Sequence, residues 1–265
     1  MSTSFFCPRW GQANTGWDVF LYSVKSAGYD GIEASLPEGE SEKEEMLTEL
    51  EKHGLKLIGQ HWETVEPEFD KHYKEFETRL RNLAAINPLF INSQTGKDYY
   101  SFEQNRKLIS LAQDISNETG ISIIHETHRG KFSFAAHITK QYLEQLPGLR
   151  ITLDISHWCN TAESLLNDQS EAVDIAVSST DHIHARVGFA EGPQITDPRD
   201  PEWNEAMQFH LQCWDKVIAL NNSITITPEF GPSPYMMNLP FTHQAVADQW
   251  EINEYMMNLL KERYS

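Results

Sequence analysis

Four apolar stretches from Ile121 onward each run into a side chain that can bind a divalent cation. Ile121–His125 leads into Glu126, Arg150-Ile-Thr-Leu into Asp154, His182-Ile into His184, and Ser223–Thr227 through Pro228 into Glu229. Three carboxylates and one imidazole suit Mn²⁺, Mg²⁺ or Co²⁺, with Zn²⁺ also acceptable. One such ion explains how three carboxylates tolerate convergence, because without it they repel and take up protons. The chemistry this set supports is proton transfer next to a carbonyl. The ion holds two adjacent oxygens of a hydroxycarbonyl and stabilises the cis-enediolate that forms. Glu126 and Glu229, on opposite sides of the substrate, remove and return the proton. Each acid taken alone has a blander reading, as a helix cap or half of an ion pair. All four on consecutive stretches favour a site.

Such residues need elements that bring them to one rim. Eight short apolar stretches alternate with longer amphipathic ones. The first four are Ser4–Cys7, Tyr29–Glu33, Leu55–Gly59 and Leu89–Asn92, and the last is Ser223–Thr227. Within strands, a period of two puts Asp154 on the face of Thr152, and Glu229 on the face of Thr225 and Thr227. The intervening Ile and Leu are left to pack against helices. Phe102, Asn105, Leu108, Ile109, Ala112 and Ile115 recur at helical spacing, as do the apolar positions from Trp203 to Ile218. Gly28, Gly54, Gly120 and Gly148 fall where helices should stop. One helix, near Glu171–Ser178, is expected between strands six and seven. The pattern predicts an α/β fold, a single (β/α)8 TIM barrel occupying residues 1–265 as one domain. A doubly wound sheet competes, but no Gly-rich phosphate turn follows the first strand. Two Gly- and Pro-rich loops, Val187–Pro201 and Gly231–Pro240, follow late strands and should lie on the catalytic face.

Composition narrows the partners. The 265 residues carry a net charge of −18, which argues against nucleic acid and membrane surfaces, both of which attract basic faces. A 40% hydrophobic fraction excludes a disordered chain. Cys7, Cys159 and Cys213 are too scattered for a disulfide framework or thiolate site and fit a reducing compartment. The N-terminus lacks the basic and apolar regions of a signal peptide. A soluble cytoplasmic protein is expected.

The pieces Tyr29-Asp-Gly-Ile-Glu33, His125-Glu-Thr-His-Arg-Gly130, Leu153-Asp-Ile-Ser-His157, His182-Ile-His-Ala-Arg186 and Pro228-Glu-Phe230 resemble, in order, the xylose isomerase-like TIM barrels. The resemblance spans nearly the whole chain. It implies a metal-dependent sugar isomerase or epimerase of the ketose 3-epimerase-like branch, with a small sugar or hydroxycarbonyl as substrate. By that resemblance Glu126, Asp154, His184 and Glu229 are the metal ligands, and Glu126 and Glu229 also the acid–base pair. His157 matches a substrate-contacting histidine, and Arg186 resembles a substrate anchor. Arg186 lies only two residues after His184, closer than in epimerases of that branch. Relatives of this kind are often homodimers or homotetramers.

Other candidates rest on position alone. His128 and Arg129 follow Glu126 on one loop and could hold a hydroxyl or an anion. Glu33 and His61 end strands two and three, where they either bind distal hydroxyls or cap helices. Gln94 and Lys97 follow strand four. Trp10, Trp62 and Trp158 lie at strand ends, where an aromatic ring either covers a sugar's C–H face or packs in the core. Trp203, Trp214 and Trp250 read as packing or oligomer contacts. His182 reads as a satisfied core histidine. Two alternatives stand beside the enzyme reading: a non-catalytic sugar- or partner-binding barrel, and a phosphodiesterase of the endonuclease IV type.

Overall fold

Parallel strands cannot be joined by tight turns, so each needs a crossover, usually helical. The computed structural model describes residues 2–265 and shows this alternation carried around a full circle. The strands are β1 (Ser2–Pro8), β2 (Gly31–Ala34), β3 (Lys56–His61), β4 (Ile91–Ser93), β5 (Ile123–Glu126), β6 (Ile151–Leu153), β7 (Thr180–His184) and β8 (Ser223–Thr227). They pair in sequence order, and β1 closes on β8 with Ser2 beside Ser223 and Phe5 beside Ile226. The helices are α1 (Trp17–Ala27), α2 (Glu40–His53), α3 (Phe69–Ala85), α4 (Phe102–Thr119), α5 (Ala136–Gln145), α6 (Ser156–Ala162), α7 (Ser170–Ser178), α8 (Asn204–Leu220) and α9 (Gln249–Tyr264). The expected TIM barrel is what forms. Among the described residues no helix is long and apolar enough to cross a membrane.

Strand parity sorts the side chains as the sequence predicts. Ile151, Leu153, Ile183, Ile224 and Ile226 join the apolar layer against the helices. Their neighbours Thr152, His182, His184 and Thr227 are buried in the polar mouth of the barrel. The register of β7 on β8 sets His182 beside Thr225 and His184 beside Thr227, so both histidines share the face that continues toward Glu229.

Three differences from the sequence reading have physical causes. Gly28, Gly54 and Gly120 do end α1, α2 and α4 in the left-handed conformation, but α5 stops at Leu146 and Gly148 caps nothing. Pro147 disfavours helical backbone at Leu146 and ends the helix first. Two helices, not one, fill the β6–β7 crossover. The seven residues of α6 are too few to show a periodic signal. Strand bounds also shift: β6 ends at Leu153, so Asp154 stands one residue beyond it, and β4 begins at Ile91 instead of Leu89.

The loops after β7 and β8 lie on the same rim and are tied together. Gln194 Oε1 accepts from the Gly231 amide at 2.7 Å, and its Nε2 donates to Gly231 O at 3.2 Å. A Cβ on Gly231 would lie 2.0 Å from the Trp10 ring, so glycine there lets the β1 and β8 loops pack face to face.

Two glycines should respond oppositely to alanine. A Cβ at Gly31 would sit 2.2 Å from Lys56 O in the adjacent strand, whereas one at Gly148 meets nothing within 4 Å. Gly31→Ala should therefore lower stability by about 1–3 kcal/mol. Gly148→Ala should leave stability unchanged or raise it by about 0.4–1 kcal/mol. Urea unfolding of both variants checks the contrast, and equal midpoints would contradict it.

Candidate functional site

β5 delivers Glu126 as its last residue and β7 delivers His184; Asp154 and Glu229 follow β6 and β8 by one and two residues. All four are buried, and each offers a ligand atom within 4.8 Å of the other three. Short side chains lock them in place. Thr127 Oγ1 accepts from the Asp154 amide at 2.8 Å and donates to Asp154 O at 2.9 Å, pinning the β5 loop to the end of β6. The amide and hydroxyl of Ser156 both donate to Asp154 Oδ1. Gln60 Nε2 donates to Glu229 Oε1 at 3.0 Å, and Asn92 Nδ2 to Glu126 Oε2 at 3.2 Å.

Glu33 lies under this group. It accepts from His184 Nε2 at 3.0 and 3.1 Å, from Thr227 Oγ1 at 2.6 Å and from Asn92 Nδ2 at 2.8 Å. Burial opposes its ionisation, but His184 and His182 hold its carboxyl well below the usual range. An ionised carboxylate only accepts, so His184 Nε2 carries a proton and Nδ1 points at the cluster. Nδ1 lies 2.9 Å from Glu229 Oε2, yet no hydrogen-bond geometry joins them, and Nδ1 is a buried atom without a partner. Adjacent ligands of an octahedral ion with bonds of about 2.1 Å are also about 3 Å apart and aim at the ion, not at each other. The four residues therefore fit a divalent cation, with Glu33 as the outer carboxylate that orients the histidine.

The charges fit as well. Burial pushes the Glu126 carboxyl up to about 8, with repulsion from Glu229, Asp154 and Glu33 adding to it against the pull of His184. Burial would lower His184, but the carboxylates of Glu229, Glu33 and Glu126 hold it well above the usual imidazole range. Glu229 is kept low against burial by His184 and Arg186. Both shifts favour the protonated form and so relieve the negative charge gathered here.

Arg186 is the permanent cation of the centre. Its Nη2 donates to Asp154 Oδ2 and, at 2.8 Å, to His157 Nε2, and its Nε donates to Ser156 Oγ at 3.2 Å. The guanidinium lies 4.8 Å from the Tyr235 ring centre and 5.7 Å from that of Trp10. Burial, then the close approach of the His128 ring and the Arg186 guanidinium, holds His157 well below the usual imidazole range, so it is neutral. With Nε2 accepting from Arg186, its proton sits on Nδ1, which has no partner. That settles a second grouping, Glu126, His128 and His157, whose ligand atoms also lie within 4.8 Å of one another. An imidazole with one nitrogen accepting from arginine and the other protonated has no free lone pair for a second ion.

A cavity of about 470 Å³ opens above the cluster. Glu229, Arg186, His128, Gln60 and Gln94 form its floor, with Trp10, Trp62 and Tyr235 on its walls. Glu126, Asp154 and His184 are sealed directly below, and Gln94 Nε2 lies 3.3 Å over Glu126 Oε1. Of the residues expected at the substrate, Arg186, His128 and Trp10 line the cavity. Three do not. Glu33 is consumed beneath His184. His61 is buried between Ser93 Oγ (2.9 Å) and Thr64 Oγ1 (2.8 Å), so both ring nitrogens are occupied. His157 is turned inward by α6 and stands behind Arg186. Trp158 is core, donating to Ser133 O at 2.8 Å, whereas Trp62 is half exposed at the rim. His182 is a satisfied core histidine, bonded to Thr225 and Glu33. Gln60, Asn92, Ser156 and Tyr235 went unmarked in the sequence. For Gln60 and Asn92 a signal existed, a polar amide within an otherwise apolar strand.

No protein-family model matches the chain, and no curated protein matches it in sequence. Solved structures do match in fold. A D-allulose 3-epimerase from Methylomonas sp., in complex with D-allulose, superposes with a TM-score of 0.66 at 16% identity, covering 99% of this chain and 98% of that one. An endonuclease IV from Thermus thermophilus gives 0.61 at 11% identity, covering 99% and 100%. A xylose isomerase-like TIM barrel protein from Mycobacterium smegmatis, in complex with magnesium, gives 0.62 at 12% identity, covering 99% and 98%. The chain has the fold of the xylose isomerase-like TIM barrels.

Proposed function

We propose that the protein is a divalent-metal-dependent sugar isomerase or epimerase that moves a proton on the carbon next to a carbonyl. One observation carries this reading: four buried ligand-type side chains converge within 4.8 Å, with His184 Nδ1 left unpartnered and aimed into the group. Glu126, Asp154, His184 and Glu229 would hold the ion. A bound divalent ion supplies a Lewis acid for two adjacent substrate oxygens.

The chain's own residues do the rest. Glu229 reaches the cavity floor and is kept ionised beside His184 and Arg186, which makes it the base that takes the proton from carbon. Glu126, on the far side of the cluster and covered by Gln94, is the second acid–base group. Arg186 faces the cavity with a charge that cannot be lost, and it stabilises negative charge growing on substrate oxygen. His157 positions Arg186 through Nε2. Trp10 and Trp62 cover the sugar's C–H faces. The neighbour in complex with D-allulose and the one in complex with magnesium support a sugar and a divalent ion on this scaffold. Arg186 occupies His157, which argues against a multinuclear phosphodiesterase centre.

The direct test is metal content followed by solvent exchange. Protein purified without a histidine tag, soaked in Mn²⁺ and desalted should retain about one ion per chain, and Asp154→Ala should lose it. Metal-loaded protein should then incorporate deuterium from heavy water into a ketose, read by NMR across a sugar panel. Metal retention without exchange on any sugar would favour the non-catalytic barrel. No metal retention would remove the mechanism.

Two variants separate the roles. Glu229→Gln should keep the fold and lower exchange by about 10²–10⁴-fold. Glu33→Gln touches no substrate yet should weaken Mn²⁺ affinity by about 10–100-fold, because His184 loses its orienting partner. Unchanged metal affinity in Glu33→Gln would show that the Glu33 carboxylate does not tune the site through His184.

Metal uptake should also depend on pH. Carboxylate and imidazole ligands bind only when deprotonated, so uptake releases protons and apparent affinity rises from pH 5 to pH 8. Calorimetry in buffers of different ionisation enthalpy measures the protons released. An affinity flat over that range would contradict this ligand set.

A further inference from the structure

Hydrogen bonds made beneath the cavity decide which atoms are left facing into it. Gln60 spends its Nε2 on Glu229 Oε1 at 3.0 Å. An ionised carboxylate only accepts, so the amide is turned with its carbonyl oxygen away from Glu229. Gln94 is turned the same way, with Nε2 on Glu126 Oε1 at 3.3 Å. Both side chains line the cavity, and among the described residues neither carbonyl oxygen accepts from a protein group.

His128 lies on the cavity floor, its ring centre 3.9 Å from that of His157. Its Nδ1 sits 2.6 Å from Arg129 O. A carbonyl only accepts, so Nδ1 carries the proton. Burial, helped by repulsion from Arg186 and opposed by the Arg129 carbonyl, pushes the ring down to about 3, so it is neutral. Nε2 is then a bare lone pair, and among the described residues nothing donates to it.

A free acceptor in a binding cavity is satisfied by a ligand that donates and is left desolvated by one that does not. A sugar hydroxyl donates, whereas an ionised phosphate or carboxylate brings lone pairs against lone pairs. We propose that Gln60 Oε1, Gln94 Oε1 and His128 Nε2 form an acceptor set that reads sugar hydroxyls beyond the hydroxycarbonyl unit, so that the substrate is an uncharged polyhydroxy sugar and His128 is a specificity-determining residue. This rests on the reading of the metal centre as a hydroxycarbonyl site. The Arg129 carbonyl and the His157 ring fix the direction of Nε2, so His128 demands one hydroxyl in one place.

The test ranks the four D-ketohexoses by calorimetric binding to the Mg²⁺-loaded protein. The tightest is then compared with its 4-, 5- and 6-deoxy forms and its 6-phosphate. His128→Phe keeps a ring against His157 but removes Nε2. It should weaken the sugar roughly tenfold and leave metal retention unchanged. His128→Met serves if the phenylalanine variant does not fold. His128→Gln, whose Oε1 can stand in for Nε2, should recover part of the loss. One deoxy sugar should lose about as much in the wild type and then be indifferent to His128→Phe, because its missing hydroxyl and Nε2 form one pair. The 6-phosphate should bind no more tightly than its parent. A His128→Phe loss that no deoxy sugar absorbs would overturn the proposal, as would unchanged affinity in that variant, a tighter 6-phosphate, or no binding of any ketohexose. Loss of metal in His128→Phe would make His128 a ligand and overturn it too. Asp154→Ala keeps the two readings apart. The same His128→Phe loss in that background supports the acceptor set even if the wild type retains no ion.

Discussion

Four carboxylates, Glu33, Glu126, Asp154 and Glu229, are buried in the mouth of one barrel with a single permanent cation, Arg186, among them. Buried charge is tolerated only when paired and hydrogen-bonded. The surrounding side chains are arranged around that constraint. Glu33 and Glu229 are ionised because His184 stands between them. Asp154 is balanced by Arg186 and Ser156, although burial still raises its pKa. Glu126, the carboxylate without a cation of its own, is the one burial pushes up to about 8. The cluster is therefore short of positive charge at the point where its ligand atoms converge, and it makes up the difference with protons that a metal ion can displace.

The same constraint explains the amides that ring the centre. Gln60, Asn92 and Gln94 each donate through an N–H to a carboxylate oxygen. An amide satisfies a carboxylate without adding charge, so it leaves the shortage of positive charge in place. Lysine at any of these three positions would fill the charge deficit permanently. Neutral donors around a charged core keep the carboxylates hydrogen-bonded while burying no further charge.

Much of this was legible in the chain, for reasons that can be named. Alternation in Arg150-Ile-Thr-Leu-Asp154 and in Ser223–Thr227 has a period of two, so a ligand's face follows from local sequence. Glycines after α1, α2 and α4 mark helix ends because few other residues take the left-handed conformation. Glu33 was visible as a strand-end acid, but its role was not. Whether an acid at the end of β2 reaches a substrate or a histidine on β7 depends on the closure of the barrel, which no local pattern records. His157 and α6 show the same limit. Seven residues cannot advertise a helix, and without that helix nothing turns His157 away from the cavity. Arg186, two residues after His184, was expected to anchor substrate. Its position on the shared face does bring it to the cavity, but Asp154 and His157 engage it as well.

Closure also divides the work of the barrel. The four ligand-type side chains come from the ends of β5 to β8, where consecutive strands place their ends side by side. The loops after β1 and β2 line the opposite side of the cavity with Arg9, Trp10, Leu36 and Pro37. Above the paired strands the two halves also touch where Gly231 lets the Trp10 ring lie against the β8 loop while Gln194 holds that loop to the one after β7. Trp10 in turn faces Arg186 and packs edge-on to Tyr235 at 4.8 Å. Packing of this kind fixes the Arg186 guanidinium between two aromatic rings at the mouth of the barrel. None of the four converging residues comes from β1 or β2, yet β2 reaches them through Glu33, which accepts from His184 Nε2.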